Sequence, residues 1–183
     1  MQVAIIGAGP LGRWLALAAG RAGYTVLLED VMPSNLHHAQ EYLRQQLGPA
    51  ALPRVMFAST IEQAVREADL VIDCVPDELE SKLEIFCLLD RMAPPRTVLV
   101  TPTKRLSIAD LASCTYRADK CVALVANVQE LTGAAMSNGE ERGNGAAILL
   151  RTPPQVTRET VAMVDEFWKR IGFAPRFEAD GMP

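Results

Sequence analysis

Short apolar runs alternate with segments of helical periodicity along most of the chain. Runs rich in Val, Ile and Leu predict strands at residues 3–6, 25–28, 55–58, 70–75, 97–101, 121–126 and 146–150. Apolar residues that recur every three or four positions predict helices at residues 11–22, 35–47, 60–67, 78–92, 107–112 and 159–171. A polar, glycine-containing loop is predicted at residues 133–145. This alternation predicts an α/β fold with a doubly wound, mostly parallel sheet.

The length and composition of the chain fit a single globular domain over residues 1–183. The chain has 183 residues, and one domain commonly takes roughly 100–200. Hydrophobic residues make up 49% and charged residues 22%, which excludes disordered and collagen-like proteins. The net charge of -4 argues against nucleic acid or an anionic membrane as a partner, because both attract proteins with surplus positive charge.

The four cysteines carry no pattern of a metal or disulfide site. Cys74, Cys87, Cys114 and Cys121 form no CxxC pair and have no metal-ligand spacing with the two histidines. Cys74 lies in an apolar run and Cys87 in a helical pattern, so we expect no metal centre and buried free thiols. Free thiols suit a reducing cytoplasm.

The N-terminal region is apolar enough to raise the question of a signal peptide. No basic segment precedes it, and three glycines together with Arg13 interrupt it. No other stretch approaches the ~20 apolar residues of a membrane span. We therefore expect a soluble, cytoplasmic protein with no membrane partner.

A glycine-rich motif joins the first predicted strand to the first predicted helix. It reads Gly7-Ala8-Gly9-Pro10-Leu11-Gly12, a GxGxxG pattern. The first glycine of such a motif permits a tight turn, the second lets the backbone approach a pyrophosphate, and the third lets helix and strand pack closely. Amides at the start of the helix would bind the phosphates. The motif predicts a Rossmann NAD(P)-binding fold with Gly7, Gly9, Pro10, Leu11 and Gly12 at the cofactor; the alternative is a glycine turn without a ligand.

An acidic residue at the end of the second predicted strand favours NAD over NADP. Asp30, with Glu29 beside it, follows the glycine motif by about twenty positions. A carboxylate there accepts hydrogen bonds from the adenosine ribose and repels the 2′-phosphate of NADP. The next residues, Val31, Met32 and Pro33, include no arginine that would attract that phosphate. The predicted cofactor is therefore NAD(H).

These motifs and several later ones resemble the NAD-binding domain of the 3-hydroxyacyl-CoA dehydrogenase family. The resemblance rests on the glycine motif, Glu29-Asp30, residues 68–73, residues 75–79, Lys82, residues 84–86 and residues 106–108. It extends from residue 3 to residue 172. It implies that Val75, Asp77 and Lys82 contact the cofactor, the latter two at the ribose on the nicotinamide side. Taken alone, Asp77 also suits the start of a helix and Lys82 a solvated surface.

The residues that carry the family's chemistry are replaced in this chain. The family uses a histidine that takes the hydroxyl proton, a glutamate that pairs with it, and a serine and an asparagine that orient the substrate. Val125 stands at the position of the histidine, and Lys104 at that of the substrate-binding serine. Ser137 stands at the position of the glutamate, with Glu130 a little upstream. The two histidines of the chain follow the second predicted strand, outside this region.

Two further differences concern the substrate and the partner. In the family, a long helical hairpin after the second strand helps to bind coenzyme A, whereas residues 48–53 end that segment early here. The family also continues into a helical domain that covers the substrate and forms the dimer, and this chain stops near the point where that domain begins. We therefore expect an uncovered apolar face with Phe173, Phe177 and Met182, and a homodimer or a partner subunit on it.

Three functions fit these observations. The first is an NAD(H)-binding Rossmann protein of fatty acid metabolism, as the resemblance implies, without standard 3-hydroxyacyl-CoA dehydrogenase activity. The second is an active oxidoreductase on the CH–OH group of a small acyl or acidic substrate, with Lys104 as the catalytic residue or a site completed by another chain. A desolvated lysine can act as an acid or a base; Lys104 and Arg105 can instead bind a carboxylate or phosphate, or remain a solvated pair. The third is an interaction subunit whose glycine turn is vestigial.

Overall fold

The structure is a computed structural model, and it describes residues 1–126, 130–131 and 145–180. The described strands are β1 (Gln2–Ile6), β2 (Thr25–Glu29), β3 (Val55–Ala58), β4 (Leu70–Asp73), β5 (Val98–Pro102), β6 (Cys121–Leu124), β7 (Ala146–Thr152) and β8 (Phe173–Ala179). The helices with described bounds are α1 (Pro10–Arg21), α2 (Pro33–Gln46), α3 (Ile61–Val65), α4 (Leu79–Met92), α5 (Ile108–Ala112) and α6 (Arg158–Arg170). The loop predicted at residues 133–145 lies outside the described residues except for Gly145.

Each helix and strand that the hydrophobic pattern predicts is present, and its ends lie within two residues of the predicted ones. Periodicity locates the buried face of an element well, whereas the ends depend on local capping. Of the helices whose residues the structure describes, none has the length and apolar character needed to cross a bilayer.

Local capping chemistry sets the helix ends. Pro10 opens α1, where its fixed φ suits the first helical position and its missing N–H has no intrahelical partner to lose. Side-chain oxygens of Thr60, Ser107 and Thr157 accept backbone N–H groups at the starts of α3, α5 and α6. Gly172, with a φ of 101°, follows the end of α6 in the left-handed conformation that is common directly after a helix.

The strands form one sheet in the order β3-β2-β1-β4-β5-β6-β7-β8. Neighbouring strands are parallel, except that β6 and β7 are antiparallel. The prediction of an α/β fold with a mostly parallel sheet is therefore confirmed. The chain passes from β1 to β2 and β3 on one side of the sheet, and then crosses to β4 on the other side. This reversal opens a crevice at the carboxyl ends of β1 and β4, where ligands of such sheets bind.

Two hydrophobic clusters cover the two faces of the sheet. Val3 and Ile5 of β1 belong to one cluster, and Ala4 and Ile6 to the other, because successive strand side chains point to opposite faces. Helices α1, α2 and α6 contribute buried residues to the first cluster, and α3, α4 and α5 to the second. The sheet is therefore doubly wound, as predicted.

Strand β8 is the element that sequence analysis missed. It pairs in parallel with β7, and Pro175 lies opposite Ile148 in the middle of the pairing. A proline has no N–H for a ladder, so a proline inside an apolar run argues against a strand. The strand ends the sheet order, and an edge strand tolerates proline when the missing N–H would face away from its neighbour.

The expected uncovered apolar face is wrong for Phe173. This side chain is only 4% exposed and packs edge-on between the rings of Trp14 and Trp168, at centroid distances of 5.7 and 5.8 Å. Phe177 is half-buried against the same cluster, and Met182 lies outside the described residues. Strand β8 and helix α6 use these aromatic rings to extend the core, so Phe173 is not available to a partner.

The expectation of buried thiols is wrong for Cys87. Its side chain is exposed, although its neighbours Ile85 and Phe86 on α4 are buried against the sheet. Cys74 and Cys114 are half-buried, and Cys121 is fully buried. A helical pattern places a residue on a helix but does not by itself put that residue on the buried face.

Candidate functional site

The crevice between β1 and β4 contains two neighbouring cavities. The first, of about 370 Å³, is lined by Gly9, Pro10, Leu11, Gly12, Cys74, Val75, Pro76, Asp77, Pro102, Lys104, Arg105 and Ala126; we name it the lysine cavity. The second, of about 400 Å³, is lined by Ile6, Gly7, Gly9, Glu29, Asp30, Val31, Met32, Asn35, Ile61, Cys74, Val75, Pro76 and Ile85; we name it the carboxylate cavity. Both volumes lie in the range of small-molecule sites. Except for Lys82, the predicted cofactor residues line one cavity or both.

Two of the three motif glycines shape the turn from β1 into α1. Gly7 has a φ of 106°, a conformation that side chains rarely adopt, and its N–H donates to the Glu29 carbonyl at 2.8 Å. A Cβ on Gly12 would lie 1.8 Å from the Gly7 carbonyl oxygen. Gly7 therefore permits the bend and Gly12 permits the close packing of helix on strand, as the motif predicts.

Gly9 differs from the other two because it faces open space. A Cβ there would have no heavy atom within 4 Å, and its φ of -64° suits any residue. Gly9 lines both cavities and immediately precedes α1. The first amides of a helix have no intrahelical acceptor, so those of Leu11 and Gly12 can hold an anion beside Gly9. This arrangement fits the pyrophosphate of a dinucleotide.

Asp30 links the glycine turn to the end of β2 through hydrogen bonds. Its Oδ2 accepts the Ala8 N–H at 2.7 Å, and its Oδ1 accepts the Met32 N–H at 2.8 Å. The side-chain amide of Asn35 donates to both oxygens at 3.1 and 3.2 Å. The carboxylate thus lies at the edge of the carboxylate cavity, held by backbone amides and by one polar side chain that a ribose hydroxyl can replace.

Glu29 adds a second carboxyl group to the same cavity. It is only 4% exposed, and burial, with a smaller contribution from the charge of Asp30, raises the pKa of Glu29 to about 7. The charge of this cavity therefore changes near neutral pH. The glycine motif points to Asp30 rather than to Glu29; the signal for Glu29 is the strand alternation, which places its side chain toward the interior.

Asp77 and Lys104 connect the two loops that border the lysine cavity. The backbone N–H of Lys104 donates to the Asp77 carboxylate at 3.2 Å. The Lys104 ammonium forms an ion pair with Glu130, and these side chains are 41% and 51% exposed. Arg105 lines the cavity beside Lys104. The predicted catalytic residue thus lies next to the glycine turn, with a carboxylate partner that sequence spacing alone did not assign.

The alternative of a solvated Lys82 is wrong. Its side chain is fully buried, and its Nζ lies 2.6 Å from Oδ1 of Asp73, which is buried at the end of β4. Lys82 lines neither cavity, and its contact with the ribose stays a prediction. A carboxylate inside an apolar strand, followed by a lysine in the next helix, is the sequence signal for this pair.

Cys74 lines both cavities beside the glycine turn. Burial raises the pKa of its thiol well above the usual range, and the nearby Asp73 carboxylate adds to the effect. The thiol is therefore uncharged at neutral pH and is a poor nucleophile.

Val125, which the resemblance places at the position of the family's catalytic histidine, carries no group that can take a proton. Val125 is half-buried after β6, and its N–H donates to the Leu149 carbonyl at 2.9 Å. His37 lies on the exposed face of α2, where it pairs with Glu41. Ser137 lies outside the described residues. Within the described ranges, His, Cys, Asp and Glu side chains form no group of three that could hold a metal ion.

Solved dehydrogenases share the fold. The chain superimposes on (S)-3-hydroxybutyryl-CoA dehydrogenase from Ralstonia eutropha with a TM-score of 0.82 and 21% identity, over 98% of this chain and 64% of that one. It superimposes on a diketoreductase with a TM-score of 0.78 and 26% identity, over 97% of this chain and 64% of that one. The first likeness concerns the fold alone.

Sequence comparison identifies the family. Residues 2–125 match the model of the 3-hydroxyacyl-CoA dehydrogenase NAD binding domain. The chain is 30% identical over 136 residues to a probable 3-hydroxybutyryl-CoA dehydrogenase of Bacillus subtilis, which covers 67% of this chain and 47% of that protein. It is 27% identical over 141 residues to the mitochondrial hydroxyacyl-coenzyme A dehydrogenase of Sus scrofa, which covers 67% and 45%. The chain thus spans about half the length of these curated relatives. It belongs to the family of 3-hydroxyacyl-CoA dehydrogenase NAD-binding domains, and its cofactor is NAD.

Proposed function

We propose that this chain binds NAD(H) along the crevice, with the adenosine half in the carboxylate cavity and the nicotinamide half in the lysine cavity. The observation that carries the proposal is Gly9, whose backbone borders both cavities and leaves open the space that a side chain would fill. Gly9 would then lie under the pyrophosphate, next to the first amides of α1. Bound NAD(H) supplies an acceptor or donor of hydride.

Asp30 would select NAD(H) over the phosphorylated cofactor. Its carboxylate lies at the end of β2 and would accept hydrogen bonds from the adenosine ribose in exchange for those of Asn35. The lining of the carboxylate cavity includes two carboxyl groups and no lysine or arginine. The negative charge of this cavity would therefore repel the 2′-phosphate of NADP(H). In the lysine cavity, the Asp77 carboxylate would accept a hydrogen bond from the ribose on the nicotinamide side.

The same crevice argues against standard 3-hydroxyacyl-CoA dehydrogenase activity by this chain. That reaction needs a base within hydrogen-bond reach of the substrate hydroxyl, because the proton leaves as hydride is transferred. Val125 offers no such group, and His37 lies on an exposed face of α2. We propose that the chain binds the cofactor without oxidising 3-hydroxyacyl-CoA.

The pair of Lys104 and Glu130 favours a second candidate function, an oxidoreductase acting on a small acyl or acidic substrate. Lys104 borders the lysine cavity together with Arg105, so an anionic substrate would meet two cations beside the nicotinamide. A lysine paired with a carboxylate can pass a proton to a carbonyl oxygen. Under this candidate, Lys104→Ala abolishes turnover while the NADH dissociation constant stays within twofold; Lys169→Ala, on the exposed face of α6, is the control.

A fluorescence titration of NADH tests the proposed binding site. We expect Gly9→Asp to weaken NADH at least 100-fold, because the new carboxylate would occupy the pyrophosphate position. The fold should tolerate the change, since the backbone is unstrained and the space is open. Gly48→Asp is the matched control, because Gly48 is also exposed with open space around its Cβ position. Equal affinities of the two variants would contradict the site.

An absorbance assay at saturating NADH tests the proposed lack of standard activity. We expect no oxidation of NADH with a 3-oxoacyl-CoA, and turnover above the rate without protein would contradict the proposal.

A homodimer and a cytoplasmic location remain predictions. Light scattering on the purified chain measures the first, and a monomer mass would contradict it.

A further inference from the structure

Two free thiols meet on the face of the molecule formed by α4 and α5. Cys87 is exposed on α4, and Cys114 is half-buried just after α5. The Cys87 Sγ lies 3.9 Å from the carbonyl oxygen of Cys114. The Cys114 thiol donates to the Leu111 carbonyl at 3.0 Å, so it is protonated and held in place. Helix α4 and the turn after α5 thus present one accessible thiol and one sheltered thiol to each other.

A buried clamp fixes the segment after Cys114 against α4. Asp90, one helical turn beyond Cys87, accepts the Tyr116 N–H at 3.1 Å and pairs with Arg117 at 2.8 Å. The Asp90 and Arg117 side chains are each 6% exposed. Arg117 also donates to the Ala93 and Pro94 carbonyls at the end of α4, at 3.0 and 2.7 Å. The segment directly after Cys114 is therefore anchored to the helix that carries Cys87.

The surroundings give the two thiols different reactivities. Burial is the main cause that raises the pKa of Cys114 to about 11, and the neighbouring Cys87 thiol contributes to it. Cys114 is thus a poor first nucleophile, whereas Cys87 meets solvent directly. An oxidant or disulfide would reach Cys87 first, and the sheltered thiol would then lie next to the modified sulfur.

We propose that Cys87 and Cys114 form a reversible disulfide by exchange with a low-molecular-weight disulfide. The Cys87 thiolate attacks one sulfur of glutathione disulfide, the S–S bond breaks, and one glutathione leaves as thiolate. Cys114 then loses its proton to solvent and attacks the Cys87 sulfur, and the second glutathione leaves. The two protein thiols lose two electrons and two protons, and one glutathione disulfide becomes two glutathiones. The product joins α4, which follows the wall shared by both cavities, to α5, which follows the Lys104 loop.

Peptide mass spectrometry after treatment with glutathione disulfide tests the pair. The full chain is reduced, incubated with the reagent at neutral pH, alkylated in denaturant and digested without reductant. We expect a cross-linked peptide that contains Cys87 and Cys114, and alkylated Cys74 and Cys121. Cys114→Ser should abolish the cross-link and leave a glutathione adduct on Cys87, whereas Cys87→Ser should reduce consumption of the reagent at least tenfold.

Two results would overturn the proposal. One is a persistent glutathione adduct on Cys87 of the unsubstituted protein, without a cross-link, which would mean that the sulfurs do not reach each other. The other is a cross-link that survives Cys114→Ser, which would assign the partner thiol elsewhere. Serine should keep the fold at residue 114, because its hydroxyl can donate to the same Leu111 carbonyl; the circular dichroism spectrum of each variant checks this.

Discussion

The two cavities of the crevice share a wall and differ in charge. Gly9, Cys74, Val75 and Pro76 border both. Beyond this wall, the carboxylate cavity adds Glu29 and Asp30 at the end of β2, whereas the lysine cavity adds a lysine, an arginine and an aspartate from the loops after β4 and β5. The carboxyl ends of neighbouring parallel strands thus carry negatively charged side chains in one cavity and mainly positively charged side chains in the other.

The two cavities differ in how far they follow the family resemblance. The carboxylate cavity has the glycine turn and the acidic strand end that suit the adenosine half of NAD. The lysine cavity borders the place where chemistry would occur, and there Lys104 and Val125 replace the residues that the family resemblance calls for. The proposed cofactor contacts at the end of β2 and the proposed catalytic lysine therefore belong to separate loops.

The substitution that should destabilise the protein most removes the buried partner of Asp73, next to the wall that both cavities share. Lys82→Met would leave the buried carboxylate of Asp73 without its partner beneath the loop after β4. We expect the free energy of unfolding in urea to fall by about 3–5 kcal/mol.

Lys169→Met is the matched control for the Lys82 variant. It removes an ammonium from an exposed pair with Asp165 and should cost less than about 1 kcal/mol. Similar losses in the two variants would show that the buried pair contributes no more than a surface pair does.

A smaller effect should follow from the titration of Glu29. Its pKa is about 7 in the folded protein against an ordinary value of 4.5, so the folded state keeps a proton that the unfolded chain releases. The resulting stability is present below about pH 4.5 and is lost as the pH rises through 7, an effect of about 2–3 kcal/mol. We expect urea unfolding between pH 5 and pH 8 to show this loss relative to Glu29→Gln, in which the group cannot titrate. Identical pH dependence in both proteins would contradict a raised pKa.

In the proposed site, the choice between NADH and NADPH depends on Asp30. Asp30→Ala removes the proposed ribose acceptor and the charge that repels a 2′-phosphate, so we expect NADH to weaken about tenfold and NADPH to weaken less. The ratio of the two dissociation constants, measured by fluorescence, should therefore fall. Asn35→Ala keeps the carboxylate while removing its side-chain donor, and it should leave this ratio within about twofold. An unchanged ratio in the Asp30 variant would contradict the proposed orientation of the cofactor.

The sequence predicted the fold and the carboxylate cavity better than the lysine cavity. Apolar alternation located the sheet because both of its faces are buried; among the described strands it failed for β8 alone, since Pro175 interrupts the pattern there. The glycine turn was predictable because its geometry depends on local backbone constraints. Local sequence could not predict the ion pair of Lys104 with Glu130, because it joins segments from two different strand ends.

The case of Lys82 shows a different limit. The resemblance assigned its side chain to the cofactor, whereas Asp73 lies close enough to hold the ammonium in the interior. Burial of a charged pair depends on the helix that packs over it, and no local pattern reports that packing. Cys87 illustrates the same limit in reverse, since its apolar neighbours on α4 predicted a burial that its direction on the helix does not allow.

Lys104→Met, in the lysine cavity, should have the smallest effect on the free energy of unfolding. The pair with Glu130 is 41% and 51% exposed, so its loss should cost less than about 1 kcal/mol in urea unfolding. The loop should keep its position, because its bond to Asp77 uses the backbone N–H of Lys104, which the substitution retains. NADH affinity should therefore change less than twofold. A loss above about 2 kcal/mol, or tenfold weaker NADH binding, would mean that this lysine holds the crevice together, and the proposed independence of the two cavities would fail.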